Sequence, residues 1–266
     1  MALIHSNFFS EELQMCVSCE VILPQRSEAS DAIAPADEKY KTLYLLHGFS
    51  DDETIWQRRT SIERYVTPLG LAVVMPCGHV SAYADMAHGG RYYSYISKEL
   101  PAIMRSFFPL SDRREDNYIC GLSMGGAGAM KIGLNNIEAF SAIGCLSAGA
   151  RNNVSDAALT PKQKQRNEML YGERGIAGTE EDVFGAAQRA LESGKPLPRI
   201  YHTCGTEDFI LPAALKTKEF FEAIQGNPFG YEYEADKGVH SWEYWDEHIQ
   251  HFLRYIGLEK QADIRN

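Results

Sequence analysis

The stretch NYICGLSMGGAGAMKIGL, residues 117–134, changes character in its middle. Asn117 to Cys120 read as the end of a strand and Met124 onward as a helix, with Gly121-Leu122-Ser123-Met124-Gly125 at the junction. A serine on such a reversal sits on a strained turn, so the residues two before and two after it must lack side chains for strand and helix to approach. Gly121 and Gly125 meet that demand. Gly126, Ala127, Gly128 and Ala129 then keep the first helical turns narrow, at a cost in helix propensity that a surface helix would have no reason to carry. Ser123 is therefore the candidate nucleophile. The same turn aims the Met124 N–H and the helix N-terminus at the place where an oxyanion would form.

Outward from this point, strand-like runs lie at 14–23, 41–47, 71–76, 117–121, 140–147, 199–205 and 230–235. Several are continuously apolar, as in strands covered on both faces. Helical candidates lie near 54–66, 91–107, 124–136, 161–171, 180–193, 212–225 and 241–256. The alternation predicts an α/β fold, a doubly wound, mostly parallel sheet with helices on both faces, spanning 1–266 as a single domain. Residues 24–40 are polar with two prolines and read as a long connection. Residues 148–197 hold no strand signal. Thr160-Pro161, and Thr179 before Glu180 and Glu181, mark helix starts in what reads as a small helical insertion before the acid-bearing strand.

Strand-to-helix nucleophiles of this kind are followed in the chain first by an acid and then by a histidine, each on a loop after a later strand. After RIYHTCG comes Thr206-Glu207-Asp208-Phe209, and Asp208 is the best-placed carboxylate, with Glu207 as the alternative and Asp236 third. After GYEYEADKG comes Val239-His240-Ser241-Trp242, where His240 stands between a strand and a final amphipathic helix. His240 is the candidate base. His248 and His251 fall within that helix, His202 lies inside a strand, and His5, His79 and His88 precede the nucleophile. The run KTLYLLH opens into His47-Gly48-Phe49, so the backbone N–H groups of Phe49 and Met124 are the expected oxyanion donors and His47 a loop brace. Trp56, Tyr83, Phe209 and Trp242 are candidate pocket residues, and Asp85 and Trp245 lie near them in the same reading. Arg58, Arg59 and Arg91 read as solvated surface charges.

Composition narrows the partners. Lys and Arg total 26 against 36 Asp and Glu, and a net charge of −10 repels a polyphosphate backbone, so nucleic acid is not expected. No apolar run is long enough for a membrane span, and MALIHSNFFSEELQM has no basic and apolar leader pattern, which makes the cytoplasm the expected compartment. Six dispersed cysteines read as reduced thiols. Cys16 and Cys19 form a CxxC, but three residues apart in a strand they point to opposite faces. The expected partner is a small-molecule ester. No cofactor and no metal is called for by a two-step acyl transfer through Ser123, and a homo-oligomer is left open.

With these residues identified, the chain resembles the esterase D-like α/β hydrolases, in particular the bacterial tributyrin esterase and acetyl esterase group. The resemblance is carried by YLLHGFSDDETIW (44–56), VVMP (73–76), RYYSYISKELP (91–101), CGLSMGGAGAM (120–130), GTEDF (205–209) and GVHSWEYW (238–245). It implies the α/β-hydrolase fold, a triad of Ser123, Asp208 and His240, oxyanion donors at Phe49 and Met124, and hydrolysis of short-acyl esters. The same family holds S-formylglutathione hydrolases, feruloyl and acetylxylan esterases and mycolyltransferases, so the resemblance fixes chemistry more closely than substrate. Formylglutathione hydrolases usually carry Asp before the catalytic histidine, where this chain has Val239. A thioesterase, a carbohydrate esterase and an acyltransferase are the alternatives, with a non-catalytic binding protein as the minor one.

Overall fold

The computed structural model describes residues 1–25, 39–150, 159–173 and 175–258. Its frame is one eight-stranded sheet of order β1-β2-β4-β3-β5-β6-β7-β8. The strands are β1 (Ala2–Ser10), β2 (Met15–Leu23), β3 (Thr42–Leu46), β4 (Ala72–Pro76), β5 (Asn117–Leu122), β6 (Ala142–Leu146), β7 (Arg199–Thr203) and β8 (Glu232–Glu234). From β4 through β8 all neighbours are parallel, whereas β1 with β2 and β2 with β4 are antiparallel.

Side-chain alternation in β3 shows why both faces must be covered. Tyr44 and Leu46 enter one core, with Ile119, Met130, Ile132 and Phe140, while Leu43 and Leu45 enter another, with Trp56, Trp245, Ile249 and Phe252. Helix α5 (Met124–Asn135) covers the first face, and α1 (Ile55–Arg59), α2 (Ile62–Val66) and α9 (Trp242–Tyr255) the second. The remaining helices are α3 (Tyr92–Ser94), which runs through a π-helical turn at Tyr95–Glu99 into α4 (Leu100–Phe107), then α6 (Pro161–Tyr171), α7 (Val183–Glu192) and α8 (Leu211–Glu222).

Three features depart from the sequence reading. Strand β1 has no counterpart there, because Leu3 and Phe9 stand exposed on the outer face and blur the polar alternation. The helix expected over 54–66 breaks at Thr60, whose extended backbone is held by its own N–H and hydroxyl bonding to the Trp56 carbonyl, while Asp246 accepts from Ser61 N–H and Tyr65 Oη–H. Thr160 caps α6 in a reciprocal pair with Gln163, as its sequence suggests, but Thr179 sits in a turn and Asp182 caps α7 instead. Most of the 24–40 connection, and the 151–158 part of the insertion, lie outside the described residues.

The insertion is tied to α5 by charge as well as packing. Lys131, on α5, donates to Glu181 at 2.6 Å and to the Ala82 carbonyl at 3.0 Å, and both side chains of the ion pair are almost wholly buried. Removing one partner of such a pair leaves the other charge desolvated and unmatched. Lys131→Met is expected to cost about 3 kcal/mol in urea unfolding, and Lys131→Met with Glu181→Leu to recover most of that loss. Equal stability of the single and double variants would contradict the ion pair as the cause.

Candidate active site

Strand β5 ends and α5 begins at Ser123, whose φ of 52° and ψ of −117° place a non-glycine residue in a conformation that costs about 1–3 kcal/mol. The flanking glycines explain how the turn closes. A Cβ on Gly121 would lie 2.5 Å from the Gly125 carbonyl, and one on Gly125 would lie 2.5 Å from the carbonyl oxygens of both Leu46 and His47. The elbow is thus pressed against the end of β3, and Gly48, next in the chain, passes close enough that its own Cβ would sit 3.7 Å from that of Ser123.

His240 stands between Ser123 and Asp208. Its Nε2 is 2.9 Å from Ser123 Oγ, and its Nδ1 is 3.0 and 2.9 Å from the two oxygens of Asp208. The Asp208 carboxylate is fully buried and accepts a further hydrogen bond from the Ile210 N–H at 2.9 Å. A carboxylate in this position fixes the Nδ1–H tautomer, which leaves the Nε2 lone pair facing the serine hydroxyl. The imidazole is itself enclosed by the Trp245 ring, edge-on at 4.9 Å between centroids, and by Phe209 at 4.5 Å. Glu207 is exposed and faces Lys237 at 3.8 Å, and Asp236 lies 3.6 Å from His248, so neither competing acid meets His240.

The loop after β3 is held by three side chains acting on three successive carbonyls. The Trp56 indole N–H donates to Leu46 O at 3.1 Å, the Tyr83 hydroxyl to His47 O at 3.0 Å, and the His47 Nδ1–H to Gly48 O at 2.7 Å. His47 Nε2 in turn accepts the Gly78 N–H at 2.8 Å, and burial lowers its pKa, favouring the neutral ring that this pattern requires. Among the described residues no backbone carbonyl takes the Phe49 N–H, and Met124 is the first residue of α5, where the helix has no acceptor for its own N–H. Phe49 follows Gly48, whose Cβ would sit 3.7 Å from that of Ser123, and Met124 follows Ser123 directly.

Trp56 and Tyr83, expected to line the pocket, are instead completely buried. Each hides its ring in the core and spends its polar tip on a backbone carbonyl, the usual resolution for a buried amphipathic aromatic. Phe209, at 75% exposure, and the half-buried Trp242 keep surface at the site. A further neighbour that no sequence signal announces is Arg166 of α6, whose guanidinium lies 4.0 Å over the Phe49 ring. That contact joins two segments more than a hundred positions apart with no motif in common.

A family model described as "Putative esterase" matches residues 10–256. The chain belongs to this esterase family. It is 28% identical to the acetyl esterase of Caldicellulosiruptor saccharolyticus over 96% of this chain and 98% of that one. A substrate-bound structure of the Staphylococcus aureus fluorophosphonate-binding serine hydrolase FphF shares 35% identity and a TM-score of 0.84, covering 97% of this chain and 98% of that one. An S-formylglutathione hydrolase, FrmB, also from Staphylococcus aureus, shares 34% identity and a TM-score of 0.81 over 97% and 99%. The esterase therefore has the α/β-hydrolase fold and is a serine carboxylesterase.

The three-carbonyl brace makes a prediction that separates positioning from substrate contact. Tyr83→Phe, which removes one hydrogen bond to His47 O, should lower kcat by about tenfold with KM nearly unchanged, since misplacing an oxyanion donor costs up to about 10² to 10³. Steady-state kinetics on p-nitrophenyl acetate measure it. A rise in KM at constant kcat would return Tyr83 to the pocket.

Proposed function

We propose that the enzyme hydrolyses soluble esters with acyl groups of about two to four carbons through an acyl-enzyme on Ser123, with His240 as general base and Asp208 as its orienting acid. The observation that carries this reading is the hydrogen-bonded line from Asp208 through His240 to Ser123 at a strained elbow. His240 Nε2 takes the hydroxyl proton as Ser123 Oγ attacks the ester carbonyl. The carbonyl's π electrons move onto oxygen, where the N–H groups of Phe49 and Met124 receive the charge. Collapse expels the alkoxide, which takes the proton from His240. Water then repeats the sequence on the acyl-enzyme and releases the acid.

The short-acyl limit draws on α6. Of its residues PKQKQRNEMLY only Leu170 is buried, and the helix sets Arg166 against Phe49 rather than an apolar surface that would shelter a long chain. The likeness to an acetyl esterase agrees with that limit. The similarity to a formylglutathione hydrolase favours a second reading, thioester cleavage, at the same residues. Among the described residues no helix is long and apolar enough to cross a membrane. All six cysteines are free thiols and five are buried, which suits a reducing compartment, and on that ground we assign the enzyme to the cytoplasm.

Ser123→Ala should fold normally and lose at least about 10⁴ of kcat, and Asp208→Asn should lose far more activity than Glu207→Gln or Asp236→Asn. Fluorophosphonate labelling and burst kinetics on purified, folded variants report both. Comparable losses in the three acid variants would remove Asp208 from its role.

Chain length is tested with p-nitrophenyl acetate, butyrate, octanoate and palmitate, alongside sugar acetates and S-formylglutathione. Each buried methylene adds about 0.8 kcal/mol of binding, so an open apolar tunnel would make kcat/KM climb along the series. The proposed pocket predicts a maximum at acetate or butyrate. A maximum at octanoate or beyond would overturn it, and a clear preference for S-formylglutathione over every oxygen ester would select the thioesterase reading.

A further inference from the structure

A second group of histidines and carboxylates lies behind the acid loop, where β8 meets α9. Glu234 is the last residue of β8, and His248 and His251, three positions apart, share one face of α9. One candidate ligand atom from each lies within 4.8 Å of the others. His251 Nδ1 is 2.8 and 2.9 Å from the two Glu234 oxygens, and His248 Nδ1 is 3.7 Å from Glu234 Oε2. We infer that Glu234, His248 and His251 bind one divalent transition-metal ion of the zinc type.

Two imidazoles and one carboxylate suit zinc rather than calcium or magnesium. A tetrahedral ion with bonds near 2.1 Å holds its ligand atoms about 3.4 Å apart, so the pairs at 2.8, 2.9 and 3.7 Å lie within about half an ångström of that spacing, and the pair spanning up to 4.8 Å closes by rotation of the partly exposed His251 ring. The Tyr201 hydroxyl, which donates to Glu234 Oε2 and lies 3.1 Å from His248 Nδ1, and Thr203 Oγ1 at 3.4 Å form a polar floor. Partial exposure of Glu234 and His251 gives an ion a way in.

An independent observation concerns the other side of the His248 ring. His248 is wholly buried, yet among the described residues its Nε2 has no hydrogen-bond partner, and Asp236 Oδ2 waits 3.6 Å away. A metal on Nδ1 places the proton on Nε2 and directs it at that carboxylate, the arrangement in which metal-bound histidines are ordinarily held. The ion would act as a clamp and take no part in acyl transfer. Glu234, Asp236 and Gly238 accept backbone hydrogen bonds from Cys204, Thr206 and Glu207, so pinning β8 to α9 also steadies the loop that carries Asp208.

The test uses the full chain, stripped with a chelator and dialysed, titrated with zinc sulfate by calorimetry and followed by thermal unfolding. One zinc per chain at micromolar or tighter Kd, with Tm raised by several degrees, is expected for the unaltered enzyme and for His240→Ala. Glu234→Gln and His251→Gln, whose partly exposed side chains leave the core packing intact, should each lose the site and the Tm shift. His248, whose ring packs tilted against Tyr244 at 3.9 Å between centroids, is left in place. No binding by the unaltered enzyme, binding that survives in both Glu234→Gln and His251→Gln, or binding lost in His240→Ala would each overturn the assignment.

Discussion

The approach of Gly125 to the carbonyls of Leu46 and His47 is the constraint on which the site depends, for no side chain fits between them. It brings the first turn of α5 against the end of β3, the strand on which the sheet order reverses between β4 and β5. Loops leaving adjacent strands at such a reversal diverge and open a crevice at their C-terminal ends. Ser123 stands on one of those loops and Phe49 on the other. The strain at Ser123 is borne by the same contact, because the turn cannot relax without driving helix and strand apart.

Around this point the aromatic side chains link the loop of Phe49 to His240. Trp56, whose indole holds the Leu46 carbonyl, meets Trp242 edge-on at 5.2 Å; Trp242 meets Trp245 at 5.1 Å, and Trp245 meets His240 at 4.9 Å. Each of these contacts is nearly perpendicular, the favoured arrangement for rings carrying opposed edge and face charge. One run of packed rings therefore sets the loop of Phe49 and the loop of His240 in a common frame. Large packed aromatics here give orientation to groups they do not resemble chemically, which is why their roles are invisible to a motif search.

What the sequence disclosed follows the range of the forces involved. The elbow, its two glycines and the alternation of strand and helix are local, and the structure places strands and helices close to where those signals put them. The grouping of Ser123, Asp208 and His240 was also legible, since chain order restricts where a carboxylate and a histidine can stand relative to such a turn. Tertiary partners were not. The break at Thr60 needs Asp246 from the last helix, and the placement of Trp56 and Tyr83 beneath the loop needs carbonyls that only the folded chain presents. Strand β1 escaped because its outer apolar residues are exposed on an edge, where patterning carries least information.

The choice among Asp208, Glu207 and Asp236 shows how burial sorts carboxylates that sequence position alone leaves in competition. Two histidine–carboxylate groups occupy the same end of the sheet, within one run of loop and helix. Asp208 has no exposed side-chain surface, whereas the side chains of Glu234 and Asp236 are 34% and 56% exposed. Water screens the exposed pair, but a desolvated carboxylate fixed by the Ile210 N–H acts on His240 through a low-dielectric path. The backbone bonds from Cys204, Thr206 and Glu207 to the 234–238 segment keep the two groups in register without letting them merge. Depth below the surface thus sets one carboxylate against His240 and leaves the others at the β8–α9 corner.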